Sequence, residues 1–206
     1  GLGNEAVTLS DSGSLAAIYL NTIDADTTGL LDASSVTSLT GMASELATVY
    51  ASAGITGLGN EDVTLYDTTL AAATLDTIDA ATSGVITVTM ATTLTGTAAN
   101  VAAAYASAGI TGLGNEAVTL SDTTLAAATL DAIDAATSGA VNAGTATTLT
   151  GTATNVAAAY ASAGITGLGN EAVTLSDTTL AAATLNTIDA ATSGLVNASA
   201  ATTLTG

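Results

Sequence analysis

Nearly the same sentence of residues is written four times in this chain, and that repetition limits its fold more than any other feature. Gly-Leu-Gly-Asn-Glu begins at Gly1, Gly57, Gly112 and Gly167, at an almost constant spacing. Self-similarity at a fixed period points to stacked supersecondary units, none of which buries its apolar face alone. The repeats run over residues 1–56, 57–111, 112–166 and 167–206, the last of them partial. The expectation is one continuous solenoid over 1–206. The chain opens on a repeat motif and stops inside a repeat, so it reads as a window of a longer protein.

The third copy shows the grammar of the unit. Residues 117–121 alternate apolar and polar side chains and include a β-branched pair, which predicts a short strand. Asp122 or Thr123 then suits a helix N-cap. Ala126, Leu130 and Ile133 form an apolar stripe beside Leu125, and Gly139 suits a C′ glycine. Residues 146–150 predict a second strand. Gly151-Thr152 opens a second helix through Val156, Ala157 and Tyr160, which Gly164 stops. Residues 118–122 match residues 147–151 within the same copy, and the next strand starts at Val173. One period is therefore two β-α coils. The predicted fold is an α/β solenoid of about seven coils, with a parallel sheet on one wall and helices on the other. An all-α hairpin solenoid, with the Thr-rich segments as turns, is the alternative. Integrity should rest on the strand leucines Leu9, Leu65, Leu120 and Leu175 and on the turn glycines.

Charge narrows the partners. The chain has 18 acidic residues and no Lys, Arg or His, so no side-chain salt bridge can form within it. Nucleic acid is excluded as a partner, because phosphate binding rests on Lys and Arg. Anionic membrane surfaces are disfavoured for the same reason, and no apolar run is long enough for membrane insertion. A salty medium would screen the repulsion, with a Debye length of about 3 Å at 1 M salt. Hydrophobic content of 48% separates the chain from acidic disordered tails. With no Lys or Arg there is no trypsin-type cleavage site, which suits an exposed extracellular life.

Catalysis finds little support. His, Cys and Lys are the commonest bases and nucleophiles, and none is present. Carboxylate pairs remain, but each recurs from copy to copy where an active site is unique. The reading is that the chain is not an enzyme. The same recurrence makes ladders: Asp24, Asp79, Asp134 and Asp189; Asn60 with Glu61 and Asn115 with Glu116; and Asp11, Asp67, Asp122 and Asp177. Carboxylates and amide oxygens are calcium ligands, so the first two sets are candidate calcium ladders, calcium being the one cofactor the sequence suggests. The competing reading is local: Asp at helix N-caps, Asn on turn backbone, acids facing solvent. Thr-Thr-Leu-Thr at Thr92, Thr147 and Thr202 suits strands, and its rows could also meet ice or carry glycans. Tyr50, Tyr105 and Tyr160 suit core positions with the hydroxyl at the edge.

Val-Thr-Leu-Ser-Asp-Thr, Asn-Thr-Ile-Asp-Ala-Ala-Thr-Ser-Gly, Thr-Thr-Leu-Thr-Gly-Thr-Ala and Gly-Ile-Thr-Gly-Leu-Gly-Asn-Glu resemble tandem repeats of giant secreted acidic bacterial proteins, of the cyanobacterial surface and adhesin-like type. The resemblance covers the whole chain and implies an extracellular or cell-surface place, with no catalytic residues. The expected function is a structural repeat segment of an extracellular fibre, sheath or giant surface protein: a rod-like scaffold that continues end to end into further repeats or copies of itself. The alternative is a calcium-dependent adhesin or a glycan- or ice-binding module.

Overall fold

The computed structural model describes all residues from Gly1 to Gly206. It contains seven helices and 19 short strands that pair in parallel, so the fold is an α/β repeat and not a stack of helical hairpins. By contact the chain divides into two compact units. The first holds residues 1–92 and 106–113, the second 93–105 and 114–206.

In the first unit, β1 (Val7–Thr8), β2 (Ser14–Ala16) and α1 (Ala17–Asp26) make one coil. β3 (Leu31–Asp32), β4 (Ser38–Gly41) and α2 (Ala43–Ala51) make the next. β5 (Ile55–Thr56), β6 (Asp62–Leu65), β7 (Thr69–Ala71) and α3 (Ala72–Asp79) follow, then β8 (Ile86–Val88) and β10 (Ile110–Thr111). The second unit begins with β9 (Thr93–Gly96) and α4 (Ala98–Ala106), whose last residue belongs to the first. It continues through β11 (Ala117–Leu120), β12 (Thr124–Ala126) and α5 (Ala127–Ala136), then β13 (Val141–Asn142), β14 (Thr148–Gly151) and α6 (Ala153–Ala161). β15 (Ile165–Thr166), β16 (Ala172–Leu175), β17 (Thr179–Ala181) and α7 (Ala182–Ala191) precede β18 (Val196–Asn197) and β19 (Thr203–Thr205).

The helices start at Ala17, Ala43, Ala72, Ala98, Ala127, Ala153 and Ala182, so shorter and longer coils alternate. Strand pairing takes a shorter step than either coil: Leu15 with Leu39, Leu39 with Val63, Val63 with Ile86. Two such steps do not fill one period. The remainder is one extra strand, Thr-Leu-Ala, in each longer coil (β7, β12 and β17), and within the second unit β12 and β17 each found a new ladder. The parallel sheet is accordingly divided. The first unit has ladders β1-β3-β5 and β2-β4-β6-β8-β10. The second has β9-β11-β13-β15, β12-β14-β16-β18 and β17-β19.

The extra strand corrects the expected helix start. α5 begins at Ala127, not near Asp122, because residues 124–126 pair in register with 148–150. Its N-cap position is Ala126, which offers no capping side chain. The helix stops are also different. Thr137 and Ser162 are the extended residues that end α5 and α6. Gly139 and Gly164 come shortly after, where a Cβ would come within 2.2 Å of the Glu116 carbonyl oxygen and 2.1 Å of Asp134 Oδ1.

Alternate strand residues and one face of each helix form the core. Leu39, Val63, Ile86, Val118, Leu149 and Val173 are fully or almost fully buried, and so are Leu46, Leu75, Leu130 and Val156 from the helices. Of the four strand leucines, Leu65, Leu120 and Leu175 are buried, whereas Leu9 is half-buried. α1 packs on α2 and α2 on α3 in the first unit, and α5 on α6 and α6 on α7 in the second. Threonine ties the coils together. Thr56, Thr111, Thr150, Thr166 and Thr205 each donate the hydroxyl to a carbonyl of the preceding coil, at 3.2–3.3 Å. Thr92, Thr147 and Thr202 do the same to Thr68, Thr123 and Thr178, so these members of the threonine rows hold backbone.

Candidate functional site

The Gly-Leu-Gly-Asn-Glu corner is the most ordered polar feature of the fold. Its two glycines have positive φ, 89° at Gly112 and 123° at Gly114, a backbone that only glycine adopts without strain. The corner turns the amides of Gly114 and Asn115 onto the carboxylate of Glu116, at 2.9 and 3.1 Å. Tyr105, on α4, donates its hydroxyl to the same carboxylate. Gly59, Asn60, Glu61 and Tyr50 repeat the arrangement, as do Gly169, Asn170, Glu171 and Tyr160. These glutamates are at most 1% exposed. The expectation of acids facing solvent therefore fails here: with no cationic side chain in the sequence, three N–H and O–H donors take the place of water. Burial first, and then the hydrogen bond to the glutamate, push all three tyrosine hydroxyls well above their ordinary range. Glu5, the counterpart in the first copy, is exposed.

A buried threonine fixes the main chain of each glutamate. Thr82, Thr137 and Thr192 donate their hydroxyls to the carbonyls of Glu61, Glu116 and Glu171 at 2.7–2.8 Å, and accept from the amides of Gly84, Gly139 and Gly194. Serine does the same at the end of the alternate helices. Ser52, Ser107 and Ser162 accept from the amides of Gly54, Gly109 and Gly164, and donate to Asp24, Asp79 and Asp134 at 2.6–2.9 Å. Hydroxyl-x-Gly is thus one device used in coil after coil. The motif stands in the sequence at residues 27–29, 52–54, 82–84, 107–109, 137–139, 162–164 and 192–194. Its relay role is invisible there, because the acceptors lie a coil away: Thr137 reaches back to Glu116, and Ser162 to Asp134.

The third ladder caps helices at a distance. Asp67, Asp122 and Asp177 accept from the amides of Ala43, Ala98 and Ala153, at 2.8, 2.7 and 2.7 Å. These are the first residues of α2, α4 and α6. An aspartate there satisfies an orphan amide and meets the positive end of the helix dipole. Helix capping is the right role, but the capped helix is the one before each aspartate rather than the one that follows.

Of the candidate calcium residues, Asp24, Asp79 and Asp134 are therefore engaged with serines, Glu61 and Glu116 are enclosed by their own corners, Asn60 and Asn115 are exposed beside them, and Asp189 is exposed on α7. No three acidic side chains come together in a group that could hold a metal ion. Two closer pairs exist. Asp76 and Asp131 are raised above the usual carboxylate range, chiefly by burial and then by Asp79 and Asp134. No buried side-chain nitrogen or oxygen lacks a hydrogen-bond partner, and no helix is long and apolar enough to cross a membrane. Compared with protein-family models, curated proteins and solved structures, the chain matches none.

Proposed function

We propose that this chain is a structural repeat segment whose recurring polar residues act as joints between coils, within a longer extracellular fibre, sheath or surface protein. One observation carries the reading. In three successive copies the glutamate corner, the serine–aspartate relay and the aspartate cap each connect one coil to another, through pairs such as Tyr105 with Glu116, Ser107 with Asp79 and Ala98 with Asp122. A motif that joins coils gains by repetition, because each added unit brings a new interface. The acidic chain without Lys or Arg and the resemblance to giant acidic surface proteins support an extracellular place. In the native array further repeats of the same kind would continue the ladders.

Negative-stain electron microscopy of arrays with four, eight and twelve repeats tests this. Particle length should rise in proportion to repeat number. A compact domain would grow only as about the 0.38 power of its length, and that outcome would sink the scaffold.

A further inference from the structure

Four half-exposed apolar side chains of the first unit recur at an interval close to the strand step rather than to the repeat. Ile18, Met42, Tyr66 and Met90 are evenly spaced along the chain and are 47, 42, 46 and 50% exposed. Ile18, Met42 and Tyr66 continue the paired register of β2, β4 and β6, and Met90 follows one residue beyond the place opposite Tyr66, since Leu65 pairs with Val88. Gly41, next to Met42, lies against Ala17, next to Ile18: a Cβ on the glycine would sit 3.4 Å from that of the alanine. The Tyr66 amide donates to the Gly41 carbonyl at 3.2 Å. Met90 takes the place of Ser35 and Thr145 in other copies. Those hydroxyls bond the carbonyls on either side of Ser10 and Ser121, the counterparts of Tyr66. Tyr19, 61% exposed, adjoins the row at Ile18.

The row breaks the repeat. The same four places hold Ala73, Thr97, Ser121 and Thr145 one period later, and Ala128, Thr152, Ser176 and Ala200 after that. Stability of the stack does not call for it. Met90 forgoes a hydroxyl that bonds two carbonyls elsewhere, and all four side chains leave about half their surface in water. An exposed apolar row that departs from its own repeat marks a contact surface.

Spacing and charge identify the occupant. Side chains on adjacent strands lie about 4.8 Å apart, close to the ~5.4 Å pitch of an α-helix. Successive turns of an apolar helix stripe would therefore meet successive coils. Glu45, whose carboxylate accepts from the Met42 amide at 3.0 Å, and Asp67, next to Tyr66, flank the row. A second copy of this chain would bring like charge, since 18 acids stand against no Lys or Arg. We propose that the row Ile18–Met42–Tyr66–Met90 docks a cationic amphipathic α-helix of another protein, with its apolar stripe on the row and its Lys or Arg toward Glu45 and Asp67.

The probe is a fluorescent leucine–lysine amphipathic helix of about four turns, with a scrambled peptide of the same composition as control, titrated by anisotropy at physiological salt. The quadruple variant I18A/M42T/Y66S/M90T takes the residues found one period later, so the fold tolerates each of them. Circular dichroism checks that it is folded. It should weaken binding at least about tenfold, and the scrambled peptide should bind more weakly than the helix. The converse variant A128I/T152M/S176Y/A200M should raise the stoichiometry from one peptide to two. Equal binding by wild type and quadruple variant would overturn the proposal. So would a wild-type dimer in light scattering that the quadruple variant abolishes, since the occupant would then be a second copy.

Discussion

A buried carboxylate in a chain without cationic side chains must take its stabilisation from hydrogen bonds alone, and the glutamate corner supplies three. A hydrogen bond to a charged group contributes about 1.5–3 kcal/mol. Tyr105→Phe should therefore lower stability by about that amount in urea unfolding, with no change in secondary structure. The pH dependence is unusually clean, because the chain has no Lys, Arg, His or Cys. Tyr50, Tyr105 and Tyr160 hold their protons more tightly folded than unfolded. Their contribution is whole below about pH 10, the unfolded value, and is lost as pH rises beyond it. Thermal melts between pH 8 and 11 should show that loss, and the triple Phe variant should show less of it; parallel curves would contradict the role given to the corner. Asp131 carries the same sign in the acid range. Its raised value means that the native state is penalised once pH rises through the carboxylate range. Asn21 stands at the same place in the first copy and donates to the Glu45 carbonyl at 3.0 Å. Asp131→Asn should offer the same bond to Asn155 and raise stability at pH 7 by about 0.5–1.5 kcal/mol. The gain should shrink as pH falls through the carboxylate range and the wild-type carboxyl takes up its proton.

At the scale of elements, the cap is what distinguishes this fold from a string of independent coils. Asp122→Ala should cost about 1 kcal/mol, and its local effect should fall on α4 rather than on the neighbouring α5. Hydrogen exchange reads this directly: faster exchange at Ala98, which donates to Asp122, is expected, with α5 unchanged. Faster exchange confined to α5 would restore the local reading. The two-coil period was legible because strand and helix carry different apolar periods within one coil. The extra strand at residues 124–126 was not. Thr-Leu-Ala leads into Ala-Ala-Thr-Leu without a break in helix propensity, and only pairing with residues 148–150 makes it extended. The candidate site was half legible for the same reason. Position named the recurring Asp, Glu and Tyr residues, but their partners stand well away in the chain, Glu116 from Tyr105 and Ser107 from Asp79, where local spacing carries no sign of them.

For the whole molecule, each repeat is a unit whose stability comes largely from its neighbours. The interior of the stack shows the consequence. Leu39 and Leu149 are fully buried between paired strands, while Leu204, at the same place on β19, is 63% exposed. Burying one such side chain contributes about 1.5–3 kcal/mol, so a following coil stabilises the one before it. Equilibrium urea unfolding of arrays with two, three, four and six repeats measures this coupling. Stability and midpoint should climb with repeat number toward a plateau, as expected for units linked by nearest-neighbour interfaces. Asp122→Ala, which severs one joint, should matter more in the short arrays. A midpoint independent of repeat number would show that the repeats fold alone, and would contradict the claim that their recurring polar residues are joints.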